Sequence, residues 1–393
     1  MSSPERARAG AATLQVKLVQ GIGQIEARLW DACVGPDQPF LSHAFLSALE
    51  DSGSASQRTG WLPLHLVVEA GGELIGCAPM YLKSHSYGEY VFDWGWANAY
   101  ERAGGTYYPK LQVSVPFTPV PGPRLLVRPE VGAPARGMLA HALVSAAEQL
   151  NVSSLHVTFC REDEWDTLGN AGLLKRQGVQ YHWHNRGYGT FDDFLGTLKS
   201  SKRKTIRKER ARVGEQGLSI EVLTGDTLTP DIWGAFYPFY LSTVDKRWGS
   251  AYLTKRFFAR LGETMPERVV LMMARHGGRY VAGALNLLGA DTLYGRVWGC
   301  RQPFEFLHFE ACYYQAIEFA IAHRLERFEG GAQGEHKMFR GLMPVESLSA
   351  HWLAHPRFAR AIEDYLERES RGVARYVDEL NEHSPYRASE SNR

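Results

Sequence analysis

The chain has 393 residues, 44% hydrophobic and 22% charged, which is ordinary globular composition at a length that suits two domains. A formal net charge of +1 leaves no global field to draw nucleic acid or a membrane. Its five cysteines are scattered without a CxxC pair and no run of about 18 apolar residues occurs, so the composition excludes a disulfide framework, a cysteine zinc site and a spanning helix, and predicts a cytoplasmic protein with reduced thiols.

Residues 1–12 read as disordered. A strand is predicted over Leu14–Gln20, then helices over Ile25–Cys33 and His43–Ser52. Two apolar runs, Leu64–Glu69 and Leu74–Met80, flank Gly71-Gly72 and predict a tight hairpin. Tyr87–Trp94 is expected as a third strand. Helices over Ala135–Leu150 and Asp163–Gln177 surround a strand at Ser154–Phe159, and Gln180–His184 closes the half as a strand.

The second half repeats this order. Phe191–Gly214 is a charged helical stretch, Leu218–Leu223 a strand, and Pro230–Val244 and Arg256–Glu263 are helices. Val269–Arg275 and Val281–Leu288 flank Gly277-Gly278 as a second hairpin, followed by a strand at Thr292–Cys300 and a helix at Phe309–Arg324. A strand at Ser347–Trp352 and a charged amphipathic helix at Pro356–Glu382 finish the pattern. Both hairpins carry two glycines, an apolar pair, a glycine, a small residue and alanine, so the chain reads as a duplicated mixed α/β unit. The boundary falls near Asn185–Gly189, giving domains at 13–187 and 188–383, with 384–393 a disordered tail.

Chemistry concentrates in the string from Gly330 to Gly341. Glycines there either cap the preceding helix ahead of a solvated charged turn or allow a sharp turn and close approach to a ligand. Glu335, His336, Lys337 and Arg340 then supply a carboxylate, an imidazole and two cations within one or two turns. His336 is the candidate base, because imidazole titrates near neutrality. Lys337 and Arg340 are candidates to hold a phosphate or an oxyanion. Glu310, at the start of the Phe309 helix, is a second acid–base candidate, although a carboxylate there also favours the helix dipole.

Three further groups stand out. Trp94 to Pro123 is dense in aromatics, glycine and proline and reads either as a long loop over a cleft, with Tyr108, Lys110 and Arg124 facing a ligand, or as a core-covering flap of packed aromatics. Lys199 to Arg212 is a basic stripe in which Arg203 and Arg207 lie at helical spacing. It is either a solvated face or a surface for a polyanion such as a tRNA. Arg247 and Trp248 follow an aromatic helix, and Arg296 and Trp298 share one strand face by period-two spacing, as a clamp for carboxylate or phosphate or as cation–aromatic packing. There is no G-x-S-x-G elbow, no cysteine beside a histidine and no metal-ligand spacing.

The runs Tyr90-Val91-Phe92-Asp93-Trp94, Tyr107-Tyr108-Pro109-Lys110-Leu111, Pro116-Phe117-Thr118-Pro119 and Gly122-Pro123-Arg124-Leu125-Leu126, with Asp245-Lys246-Arg247-Trp248-Gly249, Tyr252-Leu253-Thr254 and the Gly330 to Gly341 string, resemble a FemAB-like group of bacterial proteins. That group carries the labels peptidogalycan biosynthesis and predicted N-acyltransferase. The resemblance covers roughly residues 40 to 355 and implies two GNAT-like domains in tandem with mixed, largely antiparallel sheets. It implies an N-acyltransferase that takes an amine acceptor, small or peptide-like, with Asp93 among the substrate-binding residues. GNAT enzymes that bind CoA resemble one another in an R/Q-x-x-G-x-G/A loop, and neither half has it. The implied donor is therefore aminoacyl-tRNA or, as the alternative, an acyl-CoA used without that loop, with no resident cofactor. A non-catalytic binding protein of the same fold is the remaining alternative.

Overall fold

A computed structural model of the protein describes residues 14–247, 251–331 and 334–387. The first half carries β1 (Leu14–Val19), β2 (Trp61–Pro63), β3 (His65–Ala70), β4 (Glu73–Ala78) and β5 (Met80–Lys83). It continues through β6 (Lys110–Val113), β7 (Leu126–Val127), β8 (Ser154–Cys160) and the long β9 (Leu174–His184). The second half carries β10 (Leu218–Leu223), β11 (Val269–His276), β12 (Arg279–Leu288), β13 (Thr292–Cys300), β14 (Arg327–Glu329) and β15 (Met343–Leu353).

The two glycine hairpins form as expected. Ala70 pairs with Glu73 across Gly71-Gly72, and His276 with Arg279 across Gly277-Gly278. All four glycines have φ between +56° and +88°, the geometry that two-residue hairpin turns require and that side chains resist.

Four strands form a small sheet in the order β1-β3-β4-β7, and eleven form the main one, β10-β11-β12-β13-β14-β9-β15-β8-β6-β5-β2. The main sheet has an internal symmetry. Each half contributes one parallel pair, β6 with β8 and β13 with β14. The next strand inward comes from the other half: β9 pairs with β14, and β15 with β8. β9 and β15 then pair along nine residues at the centre. The duplicated units have exchanged strands and share one sheet. Their cores merge as well, with Phe40 edge-on to Tyr294 at 5.2 Å and Phe45 edge-on to Phe257 at 5.7 Å.

Four expectations need correction. Tyr87–Asp93 is not a strand: Gly88 and Tyr90 both have positive φ, and Trp94–Arg102 is a helix. The predicted helix from Asp163 ends at Asn170, and Leu174–Gln177 joins β9, because pairing with β15 outweighs the local polar composition. Phe191–Gly214 is two helices, Phe191–Thr197 and Ser200–Glu215, broken at Leu198. The tail expected to fray from Ser384 is held as far as Arg387: Tyr386 is buried, bridges Leu198 and donates its hydroxyl to Gly341 O at 2.7 Å. Residues 1–12 and 388–393 lie outside the described residues. No helix among the described residues is long and apolar enough to cross a membrane.

Candidate active site

The site grows from the way β13 and β14 part. Their parallel pairing lasts three residues, from Thr292–Arg327 to Tyr294–Glu329. β14 then stops and the chain turns at Gly330 and Gly331, while β13 runs on to Cys300. The gap opens a cleft of about 660 Å³. Its lining comes from both faces of the sheet. Trp298, His308, Tyr313, His336 and Lys337 lie on the side covered by the second half's own long helix. Tyr90, Phe117, Tyr240, Tyr252 and Leu253 lie on the side that faces the first half.

Arg296 sits at the gap because of a β-bulge. Leu285 pairs with Val297 and Asn286 with Gly295, so Arg296 has no partner on β12. A bulge re-aims the extra residue and breaks the alternation of side chains. Period-two spacing therefore misplaces the pair: Trp298 packs beside His308 at 5.4 Å, whereas the Arg296 guanidinium lies 5.6 Å over Phe40 and donates to Phe117 O. Burial brings the Arg296 guanidinium down to about 10, and it stays charged at neutral pH.

On the helix side, the chain at Glu310–Tyr314 forms a π turn, a local irregularity that is frequent at functional sites. It brings Cys312 and Tyr313 to the cleft. Tyr313 Oη lies 3.1 Å from His336 Nε2. His336 is exposed, whereas Lys337 is buried and its Nζ donates to Gly331 O at 2.9 Å. Both stand on the 3-10 turn Glu335–Arg340.

Arg340 anchors that turn and does not line the cleft. Its Nη2 reaches both Glu209 oxygens at 3.0 Å, its Nη1 donates to His336 O at 2.8 Å, and its guanidinium lies 3.4 Å over Phe309. Glu335 accepts from Tyr376 Oη at 2.6 Å, also away from the cleft. Glu310 is held by Arg210 at 3.0–3.2 Å and by Gln315 at 2.7 Å and does not line the cleft.

Asp93, Tyr108 and Lys110 gather elsewhere, in a buried cluster of the first half. Lys110 Nζ contacts Asp93, Glu89 at 2.7 Å and Ser86 at 2.8 Å, and Tyr108 Oη lies 2.8 Å from Ser86 Oγ. Burial pushes the Asp93 carboxyl up, but Lys110 and His156 outweigh it and hold it well below the usual carboxylate range. Burial pushes Glu89 up and Lys83 down, each to about 7. The cluster fixes the segment that delivers Tyr90 to the cleft.

Arg124 marks the asymmetry of the two halves. β6 and β8 also part after three pairs, ending at Val113–Val157. There Arg124 fills the place of a cleft and donates to Thr158 O, Pro123 O and Val120 O at 2.6–2.9 Å. The chain around it crosses to the second half, where Phe117 and Pro119 line the cleft. The Trp94 to Pro123 stretch thus covers the cleft only by its last third; the rest is helix and β6.

Arg203 and Arg207 lie on the Ser200–Glu215 helix, outside the cleft; Arg207 pairs with Asp192 at 2.9 Å and both are exposed. The helix is tied to the turn that carries His336 through Glu209 and Arg340. Trp248 lies outside the described residues, as does the Arg247 side chain. Among the described residues no group of three or more metal-ligating side chains occurs.

Glu329, Tyr240 and Tyr313 also belong to the site, and no motif marks them in the sequence. Glu329 is buried at the apex of the gap, with Oε2 unpartnered and 3.8 Å from His182 Nε2. Burial pushes its carboxyl up to about 8, against the pull of Arg327 and Arg296. Its one sequence signal is a carboxylate placed between an apolar strand residue and the paired glycines.

The family model for FemAB-like proteins, described as peptidogalycan biosynthesis/recognition, matches residues 21–388. No curated protein matches the sequence significantly. Among solved structures, FemX is 12% identical and aligns over 86% of this chain and 98% of its own, with a TM-score of 0.53. L-PGS from Bacillus licheniformis is 9% identical, over 81% and 95%, at 0.50. A tandem GNAT protein from the clavulanic acid biosynthesis pathway is 13% identical, over 88% and 99%, at 0.47. The fold is tandem GNAT-like, with its two units joined by exchanged strands. With the family model spanning nearly its whole length, the chain belongs to the FemAB-like family.

Proposed function

We propose that the protein transfers an acyl or aminoacyl group from a carrier to an amine on a peptide-like acceptor, in the cytoplasm and without a covalent enzyme intermediate. The observation that carries this is the cleft at the β13–β14 gap, lined from both faces of the sheet. Such a gap lets a donor and an acceptor approach from opposite sides and meet end to end, so binding supplies the proximity and orientation that a direct displacement needs.

The chemistry is a single acyl transfer. The amine nitrogen bonds to the carbonyl carbon, the bond from that carbon to the carrier's oxygen or sulfur breaks, and the amine proton leaves to a base. His336, bonded to Tyr313, is suited to take that proton and return it to the departing carrier. Lys337, a buried cation on the cleft wall, is suited to stabilise the oxyanion. The family description favours an acceptor of the cell-wall precursor class. The missing CoA loop and the basic helix tied to the His336 turn favour aminoacyl-tRNA as donor.

The test is transfer measured with wild type, His336→Ala and Lys337→Ala on charged tRNA and an amine acceptor. Loss of about 10²-fold or more in either variant is expected. Full activity in both would remove these residues from the mechanism. Calorimetry with acetyl-CoA and longer acyl-CoAs decides the donor: tight binding favours the acyl-CoA alternative.

A further inference from the structure

The side of the cleft that faces the first half gathers side-chain donors with few protein acceptors. Arg296 makes one hydrogen bond among the described residues, to Phe117 O, out of the five N–H groups a guanidinium carries. Tyr240 Oη accepts the Leu253 N–H at 2.9 Å, so its own proton points elsewhere and finds no acceptor among the described residues. The Tyr90 and Tyr252 phenols line the same wall; Tyr252 is held flat against Phe117 at 4.9 Å, and neither hydroxyl has a hydrogen-bond partner among the described residues. Four donor-bearing side chains from four separate segments thus converge on one space.

The charge is unbalanced too. The ionisable groups that bear on Arg296 are Tyr90 and Glu329. Burial pushes both toward their neutral forms. The Glu329 carboxylate lies against Arg327 at 3.3 Å instead, and Arg296 forms no ion pair among the described residues. A buried cation is costly unless an anion and hydrogen bonds meet it.

We infer that this chamber is a carboxylate subsite, in which Arg296 with Tyr90, Tyr240 and Tyr252 grips a carboxylate carried by the amine acceptor. One cation surrounded by neutral phenols matches a single negative charge. A phosphate monoester would bring nearly two, leaving one unanswered in a low-dielectric site. The guanidinium plane suits two carboxylate oxygens side by side, and the phenols supply further donors. The acceptor class follows: an amino acid or a peptide end with its own carboxylate, its amine reaching the gap between β13 and β14. This assignment rests on the transfer reading above for the word acceptor; the carboxylate subsite itself does not.

The experiment is calorimetry on the full chain with matched pairs: L-lysine, L-phenylalanine and glycylglycine, each against its C-terminal amide, with O-phosphoethanolamine as the phosphate probe. At least one free acid is expected to bind about tenfold or more tighter than its amide, the worth of one charge-assisted pair. Arg296→Gln, which removes the cation, should abolish that preference and Tyr252→Phe should reduce it roughly threefold, both with wild-type circular dichroism. The assignment is overturned if acids and amides bind alike in every pair, if no acid binds at millimolar concentration, if O-phosphoethanolamine binds tighter than the acids, or if Arg296→Gln keeps the preference. A parallel transfer assay separates the two claims. Transfer to acids and amides at equal rates defeats the subsite and leaves the transferase reading; acid-selective binding with no transfer to any acceptor does the reverse.

Discussion

Glu329 carries a prediction about pH that needs no substrate. Its folded-state pKa, about 8, lies above the ordinary carboxylate value, so the native state binds a proton that the unfolded state has released. The contribution to stability is fully present at low pH and is lost as pH rises from about 4.5 to 8. Glu329→Gln should flatten that part of the stability curve, gaining on wild type by up to a few (~2–4) kcal/mol as pH climbs. Urea unfolding at several pH values measures it; parallel curves for the two proteins would place Glu329 in a wetter setting. Arg340 offers a contrast. Arg340→Ala strands the buried Glu209 and should cost about 3–5 kcal/mol in thermal or urea unfolding. The sequence made His336, Lys337 and Arg340 look alike, since spacing put three polar side chains in one short turn. Only the 3-10 geometry shows which of them meets the cleft and which meets Glu209. The unmatched donors of Tyr240 and Tyr252 were equally hidden, because a phenol's environment is set by segments far away in the chain.

At the scale of elements, the hairpins, the long helices and the duplication were legible because each has a local cause. Paired glycines, 3.6-residue apolar spacing and a repeated motif need no knowledge of the partner strand. What failed was whatever depends on partners. β9 extends back to Leu174 because β15 lies beside it, and the segment from Tyr87 to Asp93 loses its strand because a buried ion cluster holds it. The bulge at Arg296 is the same kind of event and decides the site. β13 is also pressed against the Pro230–Arg247 helix: a Cβ on Gly299 would come 1.8 Å from Phe239 O, which is backbone and cannot step aside. Gly299→Ala should therefore cost about 1–3 kcal/mol or more and shift the helix that carries Tyr240. A melting temperature equal to wild type would show that the contact is looser than the geometry states.

The whole molecule is a duplication in which one opening was kept and the other filled. Arg124 closes the first half's gap, and the chain around it was redirected to wall the second half's cleft. Exchange of β9 and β15 means that neither half completes its own sheet. A fragment of residues 188–387 should thus fail to give a cooperative, monomeric fold, because β14 and β15 lose partners and become exposed edges. Size exclusion with circular dichroism tests this; a soluble two-state fragment would contradict it. The basic helix belongs to this scale as well. If its outer face meets tRNA, Arg203→Gln with Arg207→Gln should weaken binding of all tRNAs alike and reduce the salt slope, a result a gel shift reads directly.

The proposed formation of an amide bond at the gap between β13 and β14 leads to a definite product. Mass spectrometry of reactions containing purified protein, charged tRNA and carboxylate-bearing amines tests it most directly, with Lys337→Ala run beside wild type. A new acylated amine is expected, its mass that of the acceptor plus the acyl group less the hydrogen replaced, with its yield reduced about 10²-fold or more in the folded variant. The same product at an undiminished rate from Lys337→Ala, or no acylated amine from wild type with either tRNA or acyl-CoA donors, would contradict it.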